Sequence, residues 1–303
     1  MKRLLIYLGC FLLAGGCGAL LQGCETWELP TEKRLSINEG LVAYLPFTKG
    51  SLRDSLLDKR VSNNALWRDK DTARIKTNPT FVKGFSDAQD GADLAIFFNG
   101  EGDFITLLDN PTLQFKANFS VSMWIKPDVK ELKKVGTTEA MQIYHKSAYN
   151  GLSNESYSSL IRRAGLTVKD TVTTNSPLTP ILQIRSNIKK ENTDSRCDKA
   201  GPGWQPATFT VDPSIVENDS WHHIAFTYDE STVYVYLDGN LSGSLKLKGG
   251  QIQSCPGGDL RFGMGDTQYR FYFKGAMDEI RIYDRQLNDK EVKSLYGLRS
   301  IGQ

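Results

Sequence analysis

The sequence predicts an all-β fold, a sandwich or jelly roll of antiparallel strands, from three observations. More than ten short runs alternate apolar and polar residues with the two-residue period of a strand. Most of these runs are bounded by Gly, Asn, Asp or Pro, which favour turns. No long run has the 3.6-residue period of an amphipathic helix. Short strands separated by turns, without helices to cover a parallel sheet, are typical of sandwiches and jelly rolls.

The first 24 residues, MKRLLIYLGCFLLAGGCGALLQGC, have the organisation of an export signal. Lys2 and Arg3 precede an uncharged apolar run that ends in small residues. A run of this length could instead span a bilayer as an anchor, but its ending, Leu-Gln-Gly-Cys, resembles the lipobox of bacterial lipoproteins. That resemblance implies that Cys24 becomes the lipidated first residue. The alternative ending at Cys17 resembles the lipobox less well, because Ala14 stands where the family prefers Leu.

The number of cysteines favours lipidation at Cys24. Cleavage before Cys24 leaves that cysteine and two in the exported body, Cys197 and Cys255. Cleavage before Cys17 would leave Cys24 as an additional free thiol. In an oxidising compartment we expect Cys197 and Cys255 to form a disulfide, and two free buried thiols are the alternative.

The charge of the exported body is balanced. The signal contains two of the 37 basic residues and no acidic one, so 35 basic residues remain against 35 acidic ones. Such a balance argues against nucleic acid or an anionic membrane surface as the main partner.

A polar tether, residues 24–39, separates the predicted signal peptide, residues 1–23, from a single domain, residues 40–303. Within the domain, residues 129–213 are richest in loop-forming sequence and are predicted to be insertions at one edge of the sandwich. Near the C-terminus, LNDKEVKSLYGL predicts one short helix, which Asn288 or Asp289 caps and Gly297 ends.

Five segments occur in the order seen in concanavalin A-like, laminin-G-type jelly-roll domains of bacterial surface proteins. They are GLVAYLPFTKGSLRDSLLDKR, IFFNGEGDFITL, FSVSMWIKP, WHHIAFTYDESTVYVYLDG and FKGAMDEIRIYDRQLNDKEVKSLY. The resemblance covers residues 40–297 and implies a sandwich of two antiparallel sheets with one short C-terminal helix. Asn99 stands where the family usually has Asp, and the Asn99-Gly100 and Glu101-Gly102 steps suit a tight connection between two hydrogen-bonded strands.

Two of the three histidines, His222 and His223, are adjacent, which raises the question of a zinc site. Zinc needs three or four convergent ligands. Adjacent residues of a strand face opposite sides, and His145 is distant in the sequence. We therefore interpret the pair as packing at the start of a strand, on which Trp221 and His223 share a face.

The sequence contains no recognisable catalytic constellation, so we predict that the protein is not an enzyme. Jelly-roll glucanases use clustered strand carboxylates, but Asp278 and Glu279 are adjacent and are expected to face opposite ways. Alginate-lyase jelly rolls use a Gln-Ile-His or Gln-Val-His motif, and the corresponding tripeptides here lack the histidine base.

No cofactor is required by these motifs, but a structural calcium ion is a hypothesis that the resemblance implies. The family's matching positions are Asp54 in the first loop and Asp278 in the last strand. A salt bridge from Asp278 to Arg281 or Arg285 is the alternative explanation. A second acidic segment, with Asp87, Asp90 and Asp93, lacks the order of an EF-hand and is interpreted as a solvated loop.

For ligand binding, the candidate residues are aromatic or basic and lie in polar, turn-rich segments. They are Trp204, Tyr269, Arg270 and Trp67. Aromatic faces suit stacking against sugar rings, whereas packing beneath loops is the alternative. A disulfide between Cys197 and Cys255 would hold the Trp204 segment near the strand that starts at Leu260, close in sequence to Tyr269.

The resemblance implies non-catalytic carbohydrate binding by a protein that is lipid-anchored in the cell envelope. We expect the outer membrane or cell surface of a Gram-negative bacterium, with a glycan as the partner and the membrane contacted through the lipid. The alternatives are a protein-interaction or structural surface module, whose partner is a protein, and a glycan-active hydrolase or lyase with an atypical site. Fold alone does not decide among these functions.

Overall fold

The computed structural model describes residues 37–52, 62–63, 79–84, 93–115, 117–128, 134–135, 138–147, 155–163, 178–187, 204–208, 219–246, 251–252, 259–265 and 271–298. All of them lie in one compact unit, Ser36–Gln303. In these ranges the chain forms seventeen strands, two short 3-10 turns and one α-helix. None of the helices in the described ranges is long and apolar enough to cross a membrane.

The first sheet, sheet 1, contains eight antiparallel strands in the order β14-β13-β12-β6-β17-β4-β3, and β1 also pairs with β17. Its strands are β1 (Leu41–Leu45), β3 (Thr80–Lys83), β4 (Leu94–Asn99), β6 (Asn118–Pro127), β12 (His222–Asp229), β13 (Thr232–Leu237), β14 (Asn240–Lys246) and β17 (Lys274–Tyr283).

The second sheet, sheet 2, has the order β11-β10-β9-β8-β16-β5-β2, with β15 on β10 and β7 on β8. Its strands are β2 (Ser62–Asn63), β5 (Ile105–Leu107), β7 (Lys134–Val135), β8 (Thr138–Ser147), β9 (Glu155–Arg163), β10 (Leu178–Asn187), β11 (Trp204–Thr208), β15 (Gln251–Ile252) and β16 (Leu260–Phe262). The predicted sandwich of two antiparallel sheets is confirmed.

The core lies between the two sheets and follows from strand alternation. In β6 and β12, every second residue is apolar and fully or almost fully buried, as in Val121, Met123, Phe226 and Tyr228. These side chains share one cluster with residues of sheet 2 such as Ile105. Each large apolar side chain buried in this way stabilises the fold by about 1.5–3 kcal/mol. We call the core side of each sheet its inner face and the other side its outer face.

The helix α1 (Asp289–Gly297) covers part of the outer face of sheet 1, and the predicted short C-terminal helix is confirmed. Asn288 is the N-cap: its side chain accepts the Glu291 N–H, and the Glu291 carboxylate accepts the Asn288 N–H. Val292 and Leu295 are buried against apolar residues of sheet 1 in a second, smaller cluster.

Two turns decide how the strands connect. Asp238 and Gly239 both have positive φ, 46° and 76°, as a tight hairpin between β13 and β14 requires. The Asn99-Gly100 segment, however, does not join two hydrogen-bonded strands, because β4 belongs to sheet 1 and β5 to sheet 2. There the Asp103 carboxylate accepts the Asn99 N–H at 3.0 Å and fixes the crossing between the sheets.

Candidate functional site

The adjacent histidines diverge at the start of β12. His222 Nδ1 lies 2.9 Å from Asp238 Oδ2, whereas His223 Nε2 lies 2.8 Å from Ser122 Oγ on β6. The other Asp238 oxygen, Oδ1, accepts the His223 N–H at 2.9 Å. One carboxylate of the β13–β14 turn therefore fixes both residues, and their rings make different contacts. His145 lies on β8 in sheet 2.

The His223 ring is buried on the outer face of sheet 1, between Trp124 and Tyr296 of α1. Burial lowers its pKa to about 3, so the imidazole is neutral at physiological pH. Ser122 and His223 are each about 1% exposed, and Tyr296 stacks on Trp124 with ring centroids 5.6 Å apart. A short serine–histidine distance is typical of a nucleophile and its base. This pair is buried beneath Trp124 and Tyr296, so a substrate does not reach it.

Asp278 and Glu279 lie on the same face, which corrects the expectation that they face opposite ways. A β-bulge interrupts the pairing of β17 with β6 between Asp278 and Arg281, and Glu279 has φ 52°. The extra residue in the bulge places two successive side chains on the same face of the strand, where regular backbone would place them on opposite faces. Asp278 pairs in register with Trp124, and the Glu279 carboxylate contacts Tyr44 and Arg281.

Asp278 also comes close to Asp93, a residue that the sequence placed in a solvated loop. A Cβ on Gly84 would overlap Asp93 Oδ2 and would lie 2.9 Å from Asp278 Oδ2, so two carboxylate oxygens border the space beside this glycine. Asp278 is fully buried. We call Gly84, Asp93 and Asp278 the carboxylate cradle.

Hard divalent cations prefer carboxylate and backbone oxygens, and the cradle contributes two carboxylates to such a set. Arg281 pairs with Glu279, and Arg285 pairs with Glu291. Among the described residues no group of three or more His, Cys, Asp or Glu is placed to hold a metal. Asp54, Asp87 and Asp90 lie outside the described residues.

A row of polar residues crosses sheet 2 on its outer face. Arg261 of β16 pairs with Thr106 of β5 on one side and with His145 of β8 on the other. The register extends the row to Ser158 of β9 and Gln183 of β10. The neighbouring rung contains Leu107, Leu260 and Lys146, and its two leucines belong to the core. We call the first set the polar row; Thr106, Arg261 and His145 in it are buried.

Trp204 begins β11 and pairs in register with Arg185 of β10, two residues beyond Gln183 in the polar row. Ser186, the next residue of β10, pairs with Ile252 of β15. The strand ends that flank the segments containing Cys197 and Cys255 are thus attached to adjacent residues of β10. The other residues predicted for the signal, the disulfide or the ligand site lie outside the described ranges: Cys17, Cys24, Trp67, Cys197, Cys255, Tyr269 and Arg270.

The loop that contains Tyr269 and Arg270 is closed by a bridge between Met264 and Tyr272. The Phe271 carbonyl accepts the Gln142 N–H of β8 at 3.2 Å, which attaches this loop to sheet 2. Gln142 lies toward the end of β8 that is opposite Lys146. Trp204 lies near the Lys146 end, because its partner Arg185 follows Ile184 on β10, Ile184 pairs with Tyr157 on β9, and Tyr157 pairs with Lys146 on β8. Along the strands, the Trp204 rung and the stem of this loop therefore occupy different ends of sheet 2.

A buried lysine on β8 is a feature that the sequence analysis did not single out. Lys146 is 1% exposed and its Nζ lies 2.7 Å from Asp109 Oδ1, while Gln114 donates to the other Asp109 oxygen at 2.9 Å. Burial lowers the pKa of Lys146. These bonds attach the segment after β5 to β8, and the only sequence signal is a lysine at the end of an apolar run.

Comparison with known proteins gives a family and several solved folds. The sequence model of the concanavalin A-like lectin/glucanases superfamily matches residues 99–293. Domain 4 of AbnA, an extracellular arabinanase from Geobacillus stearothermophilus solved with arabinotriose, is 20% identical with a TM-score of 0.50; the match covers 84% of this chain and 98% of that one. No curated protein matches the chain.

Toxin binding domains share the fold over about half of their own length. The binding domain of Paraclostridial Mosquitocidal Protein 1 is 18% identical, with a TM-score of 0.53 over 86% of this chain and 52% of that one. The binding domain of botulinum neurotoxin DC in complex with SialylT is 17% identical, with a TM-score of 0.53 over 87% and 52%. The superfamily match spans more than half of the sequence and agrees with the two-sheet sandwich. The chain therefore belongs to the concanavalin A-like lectin/glucanase superfamily.

Proposed function

We propose that this protein binds a glycan without catalysis, on the outer face of sheet 2. The observation that carries the proposal is the polar row. In it, Arg261 pairs with Thr106 and with His145 on the face of the sheet that points away from the apolar core. Sugar sites combine a few placed polar groups with aromatic faces. Trp204 and Arg185 are paired at the end of β10 that adjoins this row.

Two of the similar structures support a saccharide as the ligand class. The arabinanase domain was solved with arabinotriose and one neurotoxin binding domain with SialylT. Because Thr106, Arg261 and His145 are buried, we propose that they support the face from within. The positions toward β10 and β11, including Trp204, would then meet the ligand.

The absence of catalysis is part of the proposal. Among the described residues, the Ser122–His223 pair is closed by Trp124 and Tyr296. Asp278 is fully buried and Glu279 is paired with Arg281. Neither arrangement offers an accessible acid and base on opposite sides of a glycosidic bond.

Affinity electrophoresis of the full chain in detergent, through gels that contain single polysaccharides, tests this function. We expect at least one polysaccharide to retard the wild type. Trp204→Ala should abolish most of the retardation, because loss of one stacking face removes about 1 kcal/mol or more. Trp221→Ala is the matched control, since Trp221 precedes β12 in sheet 1, and its retardation should equal that of the wild type. A wild type that migrates freely through every polysaccharide would contradict the proposal.

We also propose a lipid anchor at Cys24, with residues 1–23 as a cleaved signal, residues 24–39 as a tether and residues 40–303 as the binding domain. This arrangement would place the domain in the cell envelope of a Gram-negative bacterium. The pairing of Trp204 and Ile252 with adjacent residues of β10 supports a disulfide between Cys197 and Cys255. Intact mass of the purified chain tests both: we expect an N-terminus at Cys24 with added acyl mass and the loss of two hydrogens. An unmodified N-terminal methionine would contradict the anchor, and two alkylatable thiols would contradict the disulfide.

A calcium ion in the carboxylate cradle is a further proposal. Asp278 and the predicted ligand Asp54 would supply carboxylate oxygens, and Asp93, which borders the same space beside Gly84, would add another. We expect EDTA to lower the melting temperature of the wild type by several degrees and excess Ca²⁺ to restore it. Asp278→Asn should remove this calcium dependence. Identical melting curves of the wild type in EDTA and in Ca²⁺ would argue against the site.

A further inference from the structure

We propose that Asn99 is a site of spontaneous deamidation, at which the Gly100 nitrogen attacks the side-chain amide and water completes its conversion to aspartate or isoaspartate. Asn99 ends β4, and the segment after it crosses from sheet 1 to sheet 2. The co-reactant is water, and no cofactor takes part. The inference concerns a covalent modification and does not depend on glycan binding.

The Asn99 side chain is folded back over the peptide bond that follows it. Its Oδ1 accepts the Glu101 N–H at 2.7 Å, which is the hydrogen bond of an Asx turn. Such a turn closes a ring that contains the side-chain Cγ and the nitrogen of the next residue. Asn99 Cγ and the Gly100 nitrogen are therefore held together in this ring, and a bond between them closes a succinimide.

The Gly100 nitrogen is accessible for this reaction. In the part of the chain that the structure describes, the Gly100 N–H donates no hydrogen bond, so none has to break before its proton is removed. Gly100 has φ 81° and no side chain that would shield its nitrogen. Asn99 and Gly100 are partly exposed and Glu101 is exposed, so water and hydroxide reach this peptide.

The reaction balances with water alone. Hydroxide removes the Gly100 N–H proton, and the nitrogen pair forms a bond to Asn99 Cγ while the carbonyl pair moves onto Oδ1. The Glu101 N–H, 2.7 Å from that oxygen, stabilises its negative charge as the donors of an oxyanion hole do. The carbonyl re-forms, and Nδ2 takes a proton from water and leaves as ammonia. Water then adds to either carbonyl of the succinimide and opens the ring to aspartate or isoaspartate.

A second step of similar sequence, Asp238-Gly239, is built differently. Gly239 also has positive φ, 76°, but the Asp238 carboxylate contacts β12. Its Oδ1 accepts the His223 N–H, and its Oδ2 lies 2.9 Å from His222 Nδ1. These contacts hold the carboxyl group against β12 and not over the Gly239 nitrogen. We therefore expect Asp238 to remain unmodified under conditions that convert Asn99.

The other asparagines of the described ranges are internal controls, because none of them precedes a glycine. Asn110 precedes Pro111, which has no N–H proton to lose. Asn118 and Asn240 precede a phenylalanine and a leucine, whose side chains crowd the backbone nitrogen. These side-chain amides should persist while that of Asn99 is lost.

Conversion would alter the crossing between the two sheets. The Asn99 N–H donates to Asp103 Oδ2 at 3.0 Å, and Asp103 is buried. Aspartate at position 99 brings a second carboxylate near Asp103, whereas isoaspartate lengthens the backbone between β4 and β5. Phe98 and Phe104, on either side of this segment, are fully buried, so a closely packed region has to accommodate the change. We expect both products to lower the melting temperature.

Peptide mapping by mass spectrometry, after incubation of the full chain at pH 5 and at pH 8, tests the proposal. We expect the Asn99 amide to be lost from the folded protein with release of ammonia, and faster at pH 8, because the attack requires removal of a proton. Glu101→Pro lacks the donor N–H and should slow the loss by about 5-fold, the effect of one missing hydrogen bond. Glu101→Ala is the matched control, since it keeps the N–H and should react like the wild type.

Comparison with the wild type unfolded in guanidinium chloride decides whether the fold promotes the reaction. Loss of the Asn99 amide at least as fast in the folded protein as in the unfolded chain supports the proposal. Slower loss in the folded protein overturns it, and equal rates in Glu101→Pro and Glu101→Ala overturn the role of the Glu101 N–H. Asn99→Asp should melt at a lower temperature than Asn240→Asp, whose site is an exposed turn. Equal melting temperatures would contradict the effect on the crossing.

Discussion

Replacing Gly275 with alanine is expected to lower the free energy of unfolding by about 3 kcal/mol or more. Gly275 lies in β17 with φ 133°, a conformation that residues with a side chain rarely adopt. A Cβ there would overlap the Lys126 carbonyl oxygen and would lie 2.9 Å from Pro127 Cα. Both neighbours are backbone atoms of β6, a central strand of sheet 1, so neither can turn aside. Urea unfolding followed by tryptophan fluorescence measures the loss.

Gly297→Ala is the matched control for this substitution. Gly297 is the last residue of α1, and a Cβ there would meet no atom within 4 Å. Alanine favours the helix over glycine by up to about 1 kcal/mol, so we expect equal or slightly greater stability. If the two variants unfold at the same urea concentration, the close approach of β17 to β6 at Gly275 is wrong.

The parts of the fold that depend on local sequence could be predicted. Strand alternation identified β6 and β12, and the Asp238-Gly239 step marked the β13–β14 hairpin. The N-cap at Asn288 was one of two predicted for the helix. Each of these features is decided within a few residues, by side-chain period, by positive φ or by a capping oxygen.

The geometry at Asp278 could not be predicted, because it depends on one irregular residue. Strand alternation places Asp278 and Glu279 on opposite faces, and a bulge has no reliable sequence signature when the residue with positive φ is not glycine. Here Tyr44, far away in the sequence, holds the glutamate in place. Because of the bulge, Asp278 and Glu279 lie on the same face of the sheet and not on opposite faces, as regular strand alternation predicts.

The candidate sites also depend on register between remote segments. Asp93 directly precedes β4 and Asp278 lies in the last strand, and the pairing of β3 with β4 and of β4 with β17 brings them to Gly84. The polar row likewise joins residues of five strands, of which Thr106 and Arg261 are far apart in the chain. A hydrophobic pattern shows which face of a strand is buried but does not show which strand lies beside it.

Acid should destabilise this protein through His223. In the folded state burial lowers the pKa of His223 to about 3, whereas an unfolded histidine titrates near its ordinary value of about 6.5. As pH falls through this window, the unfolded chain binds a proton that the folded chain does not. The stability that the neutral ring contributes is complete above about pH 6.5 and is lost toward pH 3. The expected slope from this group is about 1.4 kcal/mol per pH unit.

The charged groups near His223 do not change the sign of this effect. Asp238 favours the protonated ring and Arg281 disfavours it, but burial is the largest cause. Protonation would also place a charge between Trp124 and Tyr296, where α1 packs on sheet 1. We therefore expect acid to loosen the contact between α1 and sheet 1 before the inner core is exposed.

Urea unfolding of His223→Gln across pH 4–7 tests this account. Glutamine can keep a hydrogen bond to Ser122 Oγ and does not titrate, so the dependence of the unfolding free energy on pH should become shallower by about one proton. His222→Gln removes the adjacent, partly exposed histidine and controls for the loss of any imidazole. Parallel curves for the wild type and His223→Gln would mean that the carboxylates alone cause acid unfolding. A shallower curve in His223→Gln alone would show that this histidine, whose neighbour suggested a metal site, serves the fold as a buried neutral ring.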